Sequence, residues 1–158
     1  MKTLVTLTFA SFLTLTTPVL AAGDIAAGEK AFKKCKACHT ITNGDEVIFK
    51  GGKTGPNLYG IVGRAAGSED FKYSKSMLAA GETGLIWDEE AIASYIADPS
   101  AYLKEITGDS KAKSKMTFKA KKNTEDLAAY LASVSPEMAE TGGETTDSTE
   151  TTDENNDS

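Results

Sequence analysis

Three stretches of the chain carry apolar residues at the spacing of an amphipathic helix, and they predict the secondary structure of its folded part. The first runs from about Ile25 to Lys34, with Asp24 as its N-cap, and the last runs from about Thr124 to Val134. Between them, a helix is predicted to begin at Asp88 and to be ended by Pro99. We therefore expect an all-α domain with three main helices.

A glycine in the middle of the first predicted helix indicates how two of the helices pack. Gly28 costs the helix about 1 kcal/mol relative to alanine, so a structural reason for it is expected. The close approach of a second helix is such a reason. We predict that the last helix crosses the first at Gly28 and that Tyr130 covers the glycine.

The segments between the predicted helices are poor in regular structure. Residues 44–67 include seven glycines and one proline, and residues 106–122 are polar and rich in lysine. A small domain with this much loop has little hydrophobic core for its length. A large apolar body bound inside the fold would give these loops a surface on which to pack.

The first 21 residues have the pattern of a secretory signal peptide. Lys2 precedes a short apolar stretch from Leu4 to Leu15, and Pro18 breaks the stretch before a site of small residues. The stretch is shorter than the about 20 apolar residues that a membrane-spanning helix needs. Export followed by cleavage is the prediction, and an uncleaved anchor is the alternative.

The end of the chain has a different composition. Residues 139–158 contain seven acidic residues and no basic one, and this composition predicts a disordered tail. Residues 22–138 then form a single folded domain with 16 Lys and Arg against 16 Asp and Glu, so the net charge of −6 reflects the tail. We expect no binding of nucleic acid by an exported, acidic chain.

The run Cys35-Lys36-Ala37-Cys38-His39 holds the only two cysteines and the only histidine of the chain. A C-x-x-C-H run is typical of covalent c-type haem attachment, in which both thiols form thioethers and the histidine ligates the iron. The motif therefore predicts one covalently bound haem c. A haem would also be the apolar body around which the loops pack.

Three other roles for the two cysteines fit the sequence less well. A structural zinc site needs four ligands, and the chain has no second pair of Cys or His. A C-x-x-C redox site is expected near a βαβ unit, and no typical strand precedes Cys35. A disulfide across two residues, as in an exported interaction module without haem, would close a very small loop and leave His39 without a role.

The second axial ligand of the iron decides between an electron carrier and a haem protein with an open site. Since His39 is the only histidine, the candidates after the signal peptide are Met77, Met116 and Met138. Met138 lies at the start of the tail, and core packing explains Met77. Met116 is an isolated large apolar residue in a basic loop, so we predict that it is the ligand, with a chance surface methionine as the alternative.

Several motifs occur in a fixed order from Gly23 to about Ser135. They are Gly28-Glu29-Lys30-Ala31-Phe32 before the C-x-x-C-H run, Lys53-Thr54-Gly55-Pro56-Asn57-Leu58, Trp87, Tyr95, Pro99, Lys115-Met116-Thr117-Phe118 and the helix from Leu127 to Leu131. This order resembles that of the class I cytochromes c, and most of all the bacterial cytochrome c2 and c-550 group. The resemblance implies a single cytochrome c fold wrapped around one covalently attached haem.

The resemblance also implies that two further residues act on the axial ligands. Pro56 would present its carbonyl to the free nitrogen of His39, fix the ring and raise its basicity. Tyr95 would hydrogen-bond near the sulfur of Met116. Without the resemblance, Pro56 is explained as a turn residue and Tyr95 as a core aromatic.

Other residues of the family pattern would serve the haem itself. The resemblance implies that Arg64, Tyr73 and Trp87 neutralise or hydrogen-bond the haem propionates, because buried carboxylates need such partners. Phe118 would cover the haem near its exposed edge. Taken alone, Arg64 is more often a solvated charge and Trp87 a core anchor.

The function that the resemblance implies is that of a soluble periplasmic electron carrier and not an enzyme. We expect a monomer without stable membrane insertion, whose partners are membrane and soluble redox proteins with acidic docking faces. The donor would be a cytochrome bc1-type complex, and the acceptor a terminal oxidase, a peroxidase or a photosynthetic reaction centre. The alternative is a haem protein with an open or labile sixth site that acts in small-ligand binding or catalysis.

Lysines that flank the haem-bearing motifs form the predicted docking surface. Each one alone is explained as a solvated charge, and their clustering carries the prediction. Because the tail is acidic, we also hypothesise that it folds transiently against these lysines and weakens docking at low salt. The docking lysines are Lys34, Lys36, Lys53, Lys115, Lys119, Lys121 and Lys122.

Overall fold

Five helices and one short β-hairpin are the regular elements in the part of the chain that the structure describes. The structure, a computed structural model, describes residues 23–135, and the predicted signal peptide, the acidic tail and Met138 lie outside the described residues. In chain order the elements are α1 (Ile25–Phe32), β1 (Ile41–Asn43), β2 (Glu46–Phe49), α2 (Lys75–Glu82), α3 (Glu89–Ala97), α4 (Pro99–Thr107) and α5 (Thr124–Ser133).

The three predicted helices are present as α1, α3 and α5, and the predicted all-α class is confirmed. The side chain of Asp24 accepts a hydrogen bond from Ala27 N at 3.0 Å, and that of Asp88 accepts one from Ala91 N at 2.7 Å. Each aspartate satisfies an N–H group that the first turn of a helix leaves without a partner. The predicted N-cap at Asp24 and the predicted start of a helix at Asp88 are therefore confirmed.

The helical pattern of the sequence missed α2 and α4. Pro99 is predicted only to end a helix, but it also occupies the first turn of α4. Asp98 is the C-cap of α3 and the N-cap of α4, where its side chain accepts from Ala101 N at 3.2 Å. Proline fits there because the N–H that it lacks would have no partner inside the helix. α2 buries only Met77 and Ala80, too few positions for a period to be recognised.

The hairpin lies in a segment for which the sequence predicts little regular structure. β1 and β2 pair antiparallel, and Gly44 takes a positive φ of 56° in the turn between them. The hydroxyl of Thr40 donates to Phe49 O at 3.0 Å at the open end of the hairpin. The ring of Phe49 lies edge-on to that of Phe32 with the centroids 4.9 Å apart, so the hairpin packs against the end of α1.

The crossing of α1 and α5 places backbone against backbone. A Cβ atom added to Gly28 would lie 1.9 Å from Asp126 O and 2.7 Å from Tyr130 Cβ, so only glycine fits. Tyr130 is buried, and its ring centroid lies 5.4 Å from that of Phe32. The predicted crossing at Gly28, covered by Tyr130, is confirmed.

The hydrophobic core draws on most of the elements. Phe32 of α1, Ile41 of β1 and Leu103 of α4 are fully buried, and α5 buries the run from Leu127 to Leu131. α5 packs against both α1 and α3, and α4 packs against α2 and α3. Within residues 23–135, no helix is long and apolar enough to cross a membrane.

We expect Gly28→Ala to destabilise the protein although alanine is the better helix former. The added methyl group would push α1 away from the backbone of α5, which should lower the free energy of unfolding by about 1–3 kcal/mol, the usual range for overpacking. Urea unfolding followed by circular dichroism measures this change. The control is Ala26→Ser at an exposed site of the same helix, which should cost only about 0.5 kcal/mol. Equal stability of wild type and Gly28→Ala would contradict the argument.

One carboxylate ties the start of α1 to the start of α5. Asp126 Oδ1 accepts from Asp24 N at 2.9 Å, and Asp126 Oδ2 accepts from Asn123 Nδ2 at 2.7 Å. Asn123 precedes α5 in a left-handed conformation with φ of 62° and makes no side-chain cap bond of its own. Two hydrogen bonds hold the pKa of Asp126 below its usual value of 3.8. The bond from Asn123 has the larger effect and the bond from Asp24 the smaller.

We expect Asp126→Ala to lower stability at neutral pH but not in acid. Because the pKa of Asp126 is depressed by folding, its contribution is present above the unfolded pKa and is lost as the pH falls through the folded pKa. The stability difference from wild type should therefore shrink below a pH of about 4. Glu125→Ala is the control, because Glu125 shares the helix N-terminus but bonds to its neighbour Thr124. A difference that persists unchanged in acid would exclude a role for the charge.

Candidate functional site

A cavity of about 390 Å³ with largely apolar walls lies between the helices and the loops. α1 contributes Phe32, α3 contributes Ile92 and Ile96, and α5 contributes Leu127 and Leu131. Phe118, predicted to cover the haem edge, lines this cavity, and so do the nine residues predicted to hold the haem and its axial ligands. They are Cys35, Cys38, His39, Pro56, Arg64, Tyr73, Trp87, Tyr95 and Met116.

The segment from Cys35 to His39 forms consecutive turns directly after α1. Cys35 N donates to Phe32 O at 2.7 Å, and the N–H groups of Cys38 and His39 both donate to Cys35 O, at 3.0 and 2.9 Å. These turns bring both thiols and the imidazole to the cavity wall. No disulfide joins Cys35 and Cys38 within residues 23–135.

The buried environment of Cys35 does not favour a reactive thiolate. Burial raises the pKa of the Cys35 thiol to about 11, with a further increase from the neighbouring Cys38 and an opposing effect of Lys34. A thiol with this pKa is protonated at neutral pH, whereas a redox C-x-x-C site needs a thiolate. In the described part of the chain, no three Cys, His, Asp or Glu side chains cluster as metal ligands.

The imidazole of His39 is oriented by a neighbouring carbonyl. His39 Nδ1 donates to Pro56 O at 2.8 Å, which is the contact predicted for these two residues. Because a carbonyl only accepts, Nδ1 carries the proton of the neutral ring and Nε2 is free to ligate a metal. Burial lowers the pKa of His39, and the bond to Pro56 opposes that shift. A Cβ added to Gly55 would lie 2.4 Å from His39 Cε1, so the loop packs directly on the ring.

The glycine-rich loop after the hairpin lies backbone against backbone on the Cys–His turn. Gly52 N donates to Lys36 O and Gly55 N donates to Cys38 O, both at 2.8 Å. A Cβ added to Gly52 would lie 2.3 Å from Ala37 O. Gly52 and Gly55 are therefore needed here for close approach, whereas Gly44, Gly60, Gly63 and Gly67 take positive φ values that glycine adopts without strain.

Met116 lies in a loop that hydroxyl groups hold in place. Ser114 Oγ accepts from Met116 N at 3.0 Å and shares a hydrogen bond of 2.7 Å with the hydroxyl of Tyr95. Ser100 Oγ accepts from Ser114 N at 3.1 Å and ties the loop to α4. Tyr95 is predicted to bond near the Met116 sulfur, and in the structure its hydroxyl bonds to the side chain of Ser114, two residues before Met116.

Arg64 lines the cavity and has several protein partners. Its Nη2 donates to Asn57 O at 2.9 Å, and its Nη1 donates to Tyr59 O at 3.4 Å and pairs with the carboxylate of Glu69. The prediction that assigns Arg64 to haem propionates does not include Glu69, which neutralises part of this charge. The side chain of Asn57 also bonds to both Thr42 N at 3.0 Å and Thr42 O at 2.8 Å, and so ties this loop to β1.

The aromatic residues of the site pack in two groups. The Trp87 ring is 5% exposed and lies 5.1 Å from the ring of Tyr95 and 6.2 Å from that of Tyr102. Tyr73 packs edge-on against Phe71 at 5.2 Å, and burial raises the pKa of Tyr73. The Tyr73 hydroxyl is thus protonated at neutral pH and can donate a hydrogen bond, as the indole N–H of Trp87 always can.

The predicted docking lysines are all exposed, but they are not equivalent. Lys34 and Lys115 line the cavity, and the others lie outside it. The Nζ atom of Lys119 lies 2.6 Å from Asp98 Oδ2, so its charge is partly neutralised by its own chain. The hydrogen bond from Lys119 is also the largest cause of the lowered pKa of Asp98. Lys119 therefore offers less charge to a partner than the prediction assumes.

The sequence model of the Cytochrome c family matches residues 25–135. This match spans more than half of the chain and all of its elements from α1 to α5. The chain belongs to the cytochrome c family.

Individual relatives agree with this assignment to the cytochromes c. The chain is 58% identical to cytochrome c-551 of Roseobacter denitrificans over 119 residues, which are 75% of this chain and 86% of the relative. It is 53% identical to cytochrome c2 of Rhodobacter capsulatus over 137 residues, which are 85% of this chain and 98% of the relative. The solved structure of cytochrome c2 from Rhodobacter capsulatus has a TM-score of 0.70 at 58% identity and covers 71% of this chain and 98% of that one.

Membership of the cytochrome c family identifies the cofactor. The chain carries one covalently attached haem c, and Cys35 and Cys38 stand in the C-x-x-C-H position. The predicted cofactor and the predicted cytochrome c fold are confirmed, and the chain is an electron carrier rather than an enzyme. The cavity fits this group, because its walls are largely apolar and its polar lining offers paired thiols, an imidazole, a thioether and a guanidinium.

Three residues of the site were missed or given no role in the sequence prediction. Ser114 precedes Met116 by two residues, and a serine at that spacing could have predicted the hydrogen bond from Met116 N to its hydroxyl. Asn57 stands within a recognised motif, but its contacts to β1 depend on the fold. Glu69 gives no local signal, because its pairing with Arg64 depends on how the loop between them turns.

We expect Gly55→Ala to displace the His39 ring. The added methyl group has no space beside Cε1, so the bond from Nδ1 to Pro56 O should lengthen and the free energy of unfolding should fall by about 1–3 kcal/mol. Urea unfolding and the resonances of the His39 ring protons report the two effects. Thr54→Ala, at the exposed neighbouring position, should leave both unchanged. If the His39 ring resonances of Gly55→Ala matched those of wild type, the ring would tolerate the methyl group and the prediction would be wrong.

Proposed function

We propose that this chain is a soluble periplasmic electron carrier in which Cys35 and Cys38 attach the haem through thioethers and His39 and Met116 ligate its iron. The observation that carries the proposal is that these four residues line one cavity. Membership of the cytochrome c family supports it, because that membership makes the chain a monohaem electron carrier.

The axial ligands are proposed to set the redox properties of the site. When bound, the haem supplies one-electron chemistry through iron that alternates between Fe(III) and Fe(II). His39 offers Nε2 because Pro56 O holds the proton at Nδ1. Met116 offers a thioether, a soft ligand that favours Fe(II) and raises the reduction potential. The hydrogen bonds of Ser114 hold the Met116 backbone, so that little of the loop needs to move when the charge changes.

The remaining polar residues of the cavity are proposed to bind the haem propionates. Arg64, Tyr73 and Trp87 each bring a donor to the cavity lining, and carboxylates in an apolar site need such donors. Tyr95 would act on the Met116 loop through Ser114. Phe118 lines the cavity and is 40% exposed, as expected of a side chain that covers the edge of the haem.

The exposed lysines around the cavity are proposed to receive redox partners with acidic faces. They steer a partner electrostatically toward the edge of the cavity where Lys34 and Lys115 lie. A cytochrome bc1-type donor and a terminal oxidase, peroxidase or photosynthetic reaction centre as acceptor fit this role. We further propose a monomer with residues 1–21 as signal peptide, residues 22–138 as the cytochrome domain and residues 139–158 as a disordered acidic tail.

We expect Met116→Ala to open the sixth position of the iron. The oxidised variant should lose the weak far-red sulfur-to-iron absorption band, and the reduced variant should bind carbon monoxide at neutral pH. The midpoint potential should fall by a sizeable part of the about 0.8 V range that axial ligands span. Absorption spectra and a redox titration measure these changes.

Met77→Leu is the matched control for this variant. Met77 also lines the cavity and is buried, and leucine conserves its volume. The far-red band, the carbon monoxide binding and the midpoint potential of Met77→Leu should therefore stay as in wild type. An unchanged band and potential in Met116→Ala would place the ligand elsewhere. Fast binding of carbon monoxide by the reduced wild type would instead favour a haem protein with an open or labile sixth site.

A further inference from the structure

Five exposed lysines from two separate segments come together beside α2. Lys115 Nζ donates to Lys72 O at 2.6 Å, and Lys113 N donates to Ser76 Oγ at 3.0 Å. These contacts hold the loop before Met116 against the start of α2, so the lysines of both segments share one surface. This group is named the α2 lysine surface, and its members are Lys72, Lys75, Lys111, Lys113 and Lys115.

The five lysines of the α2 lysine surface form no close ion pair within residues 23–135. Within residues 23–135, two ion pairs form, and neither includes one of these five lysines. The acids beside them in the sequence are Asp70 and Asp109, and Asp109 Oδ1 already accepts from Lys111 N at 2.8 Å. In the two segments 70–75 and 109–115, five lysines stand against two acids, and this local excess of positive charge favours an anionic occupant.

The chain itself contains a segment of the opposite charge. Residues 139–158, which lie outside the described residues, hold seven Asp and Glu and no Lys, Arg or His. We propose that this segment docks on the α2 lysine surface of its own chain. A tethered segment reaches an effective concentration of about millimolar, so many weak ion pairs suffice to keep it bound at low salt.

The segment is long enough to reach the surface. The described part ends at Ser135, whose Oγ accepts from Val62 N at 3.4 Å. Val62 precedes Lys72 by ten residues, and the ion pair between Arg64 and Glu69 lies within this stretch. Since a chain spans at most about 3.5 Å per residue, the nine residues from Ser135 to Glu144 reach up to about 30 Å. The later acids reach further, so length does not limit the docking.

The consequence of docking rests on the proposed function. Lys115 belongs both to the α2 lysine surface and to the proposed docking lysines, and it lines the cavity. A docked tail would shield this charge from an acidic redox partner. The effect should be strong at low ionic strength and weak at about 0.15 M, where the screening length falls to about 8 Å.

Nuclear magnetic resonance of the reduced, haem-loaded protein tests the docking without a redox partner. Backbone amide shifts of the chain 22–158 are compared with those of a chain that ends at residue 138, at ionic strengths of about 0.01 M and about 1 M. We expect differences at the α2 lysine surface that are lost at high salt. Identical shifts at low salt, or differences around Lys34, Lys36 and Lys53 instead, would overturn the proposal.

Charge variants separate this surface from the general attraction of a basic protein for an acidic tail. Lys72→Gln with Lys75→Gln should remove most of the shift differences, and it spares the backbone carbonyl that Lys115 contacts. Lys30→Gln with Lys33→Gln is the matched control, because it removes the same charge from α1, which packs against α5 and not α2. Equal effects of the two double variants would contradict docking at this surface.

Two further outcomes are distinguishable in the same samples. Shift differences that grow with protein concentration would show that the tail binds a second copy, which overturns docking within one chain. A failure of the proposed function appears separately, as an oxidised wild-type protein without the far-red sulfur-to-iron band. The tail can therefore be tested whether or not Met116 is the ligand.

Discussion

The crossing of α1 and α5 at Gly28 is the contact on which the rest of the structure depends. The Cys35–His39 turn follows α1 directly, so the position of α1 decides where both thiols and the imidazole lie. α5 supplies Leu127 and Leu131 to the same cavity. Backbone contact at a glycine allows the two helices to approach more closely than any side chain would permit. The first and last helices of the described part thereby meet beside the site.

The cavity explains why a domain with so much loop is stable. An apolar space of about 390 Å³ left empty would be costly, because the side chains around it would lose their packing partners. The covalent haem c of the family supplies those partners, and it acts as part of the core. The loops before α2 and before α5 need little regular structure of their own because they pack on the bound group. Their few specific contacts, at Pro56, Asn57 and Ser114, orient the ligand-bearing segments.

Charge is distributed unevenly over the molecule. Within residues 23–135, the two ion pairs, Arg64–Glu69 and Lys119–Asp98, each take a basic residue that the haem or a partner was expected to use. The Lys119–Asp98 pair is exposed, so it contributes little stability and can be exchanged for a partner's carboxylate. The five lysines of the α2 lysine surface have no such pair. The proposed docking of the acidic end of the chain rests on this difference.

The sequence by itself determined the three main helices, the caps at Asp24 and Asp88, the haem attachment motif and the crossing at Gly28. Most of these features depend on residues close together in the chain. The crossing depends on Gly28, which destabilises a helix relative to alanine and so indicates a close contact. Only the tertiary structure decided that α2 and the hairpin form, that Tyr95 bonds to Ser114 and that Glu69 pairs with Arg64. Short elements and polar contacts are stabilised by neighbours distant in the chain, and spacing along the sequence does not specify which neighbours the fold will supply.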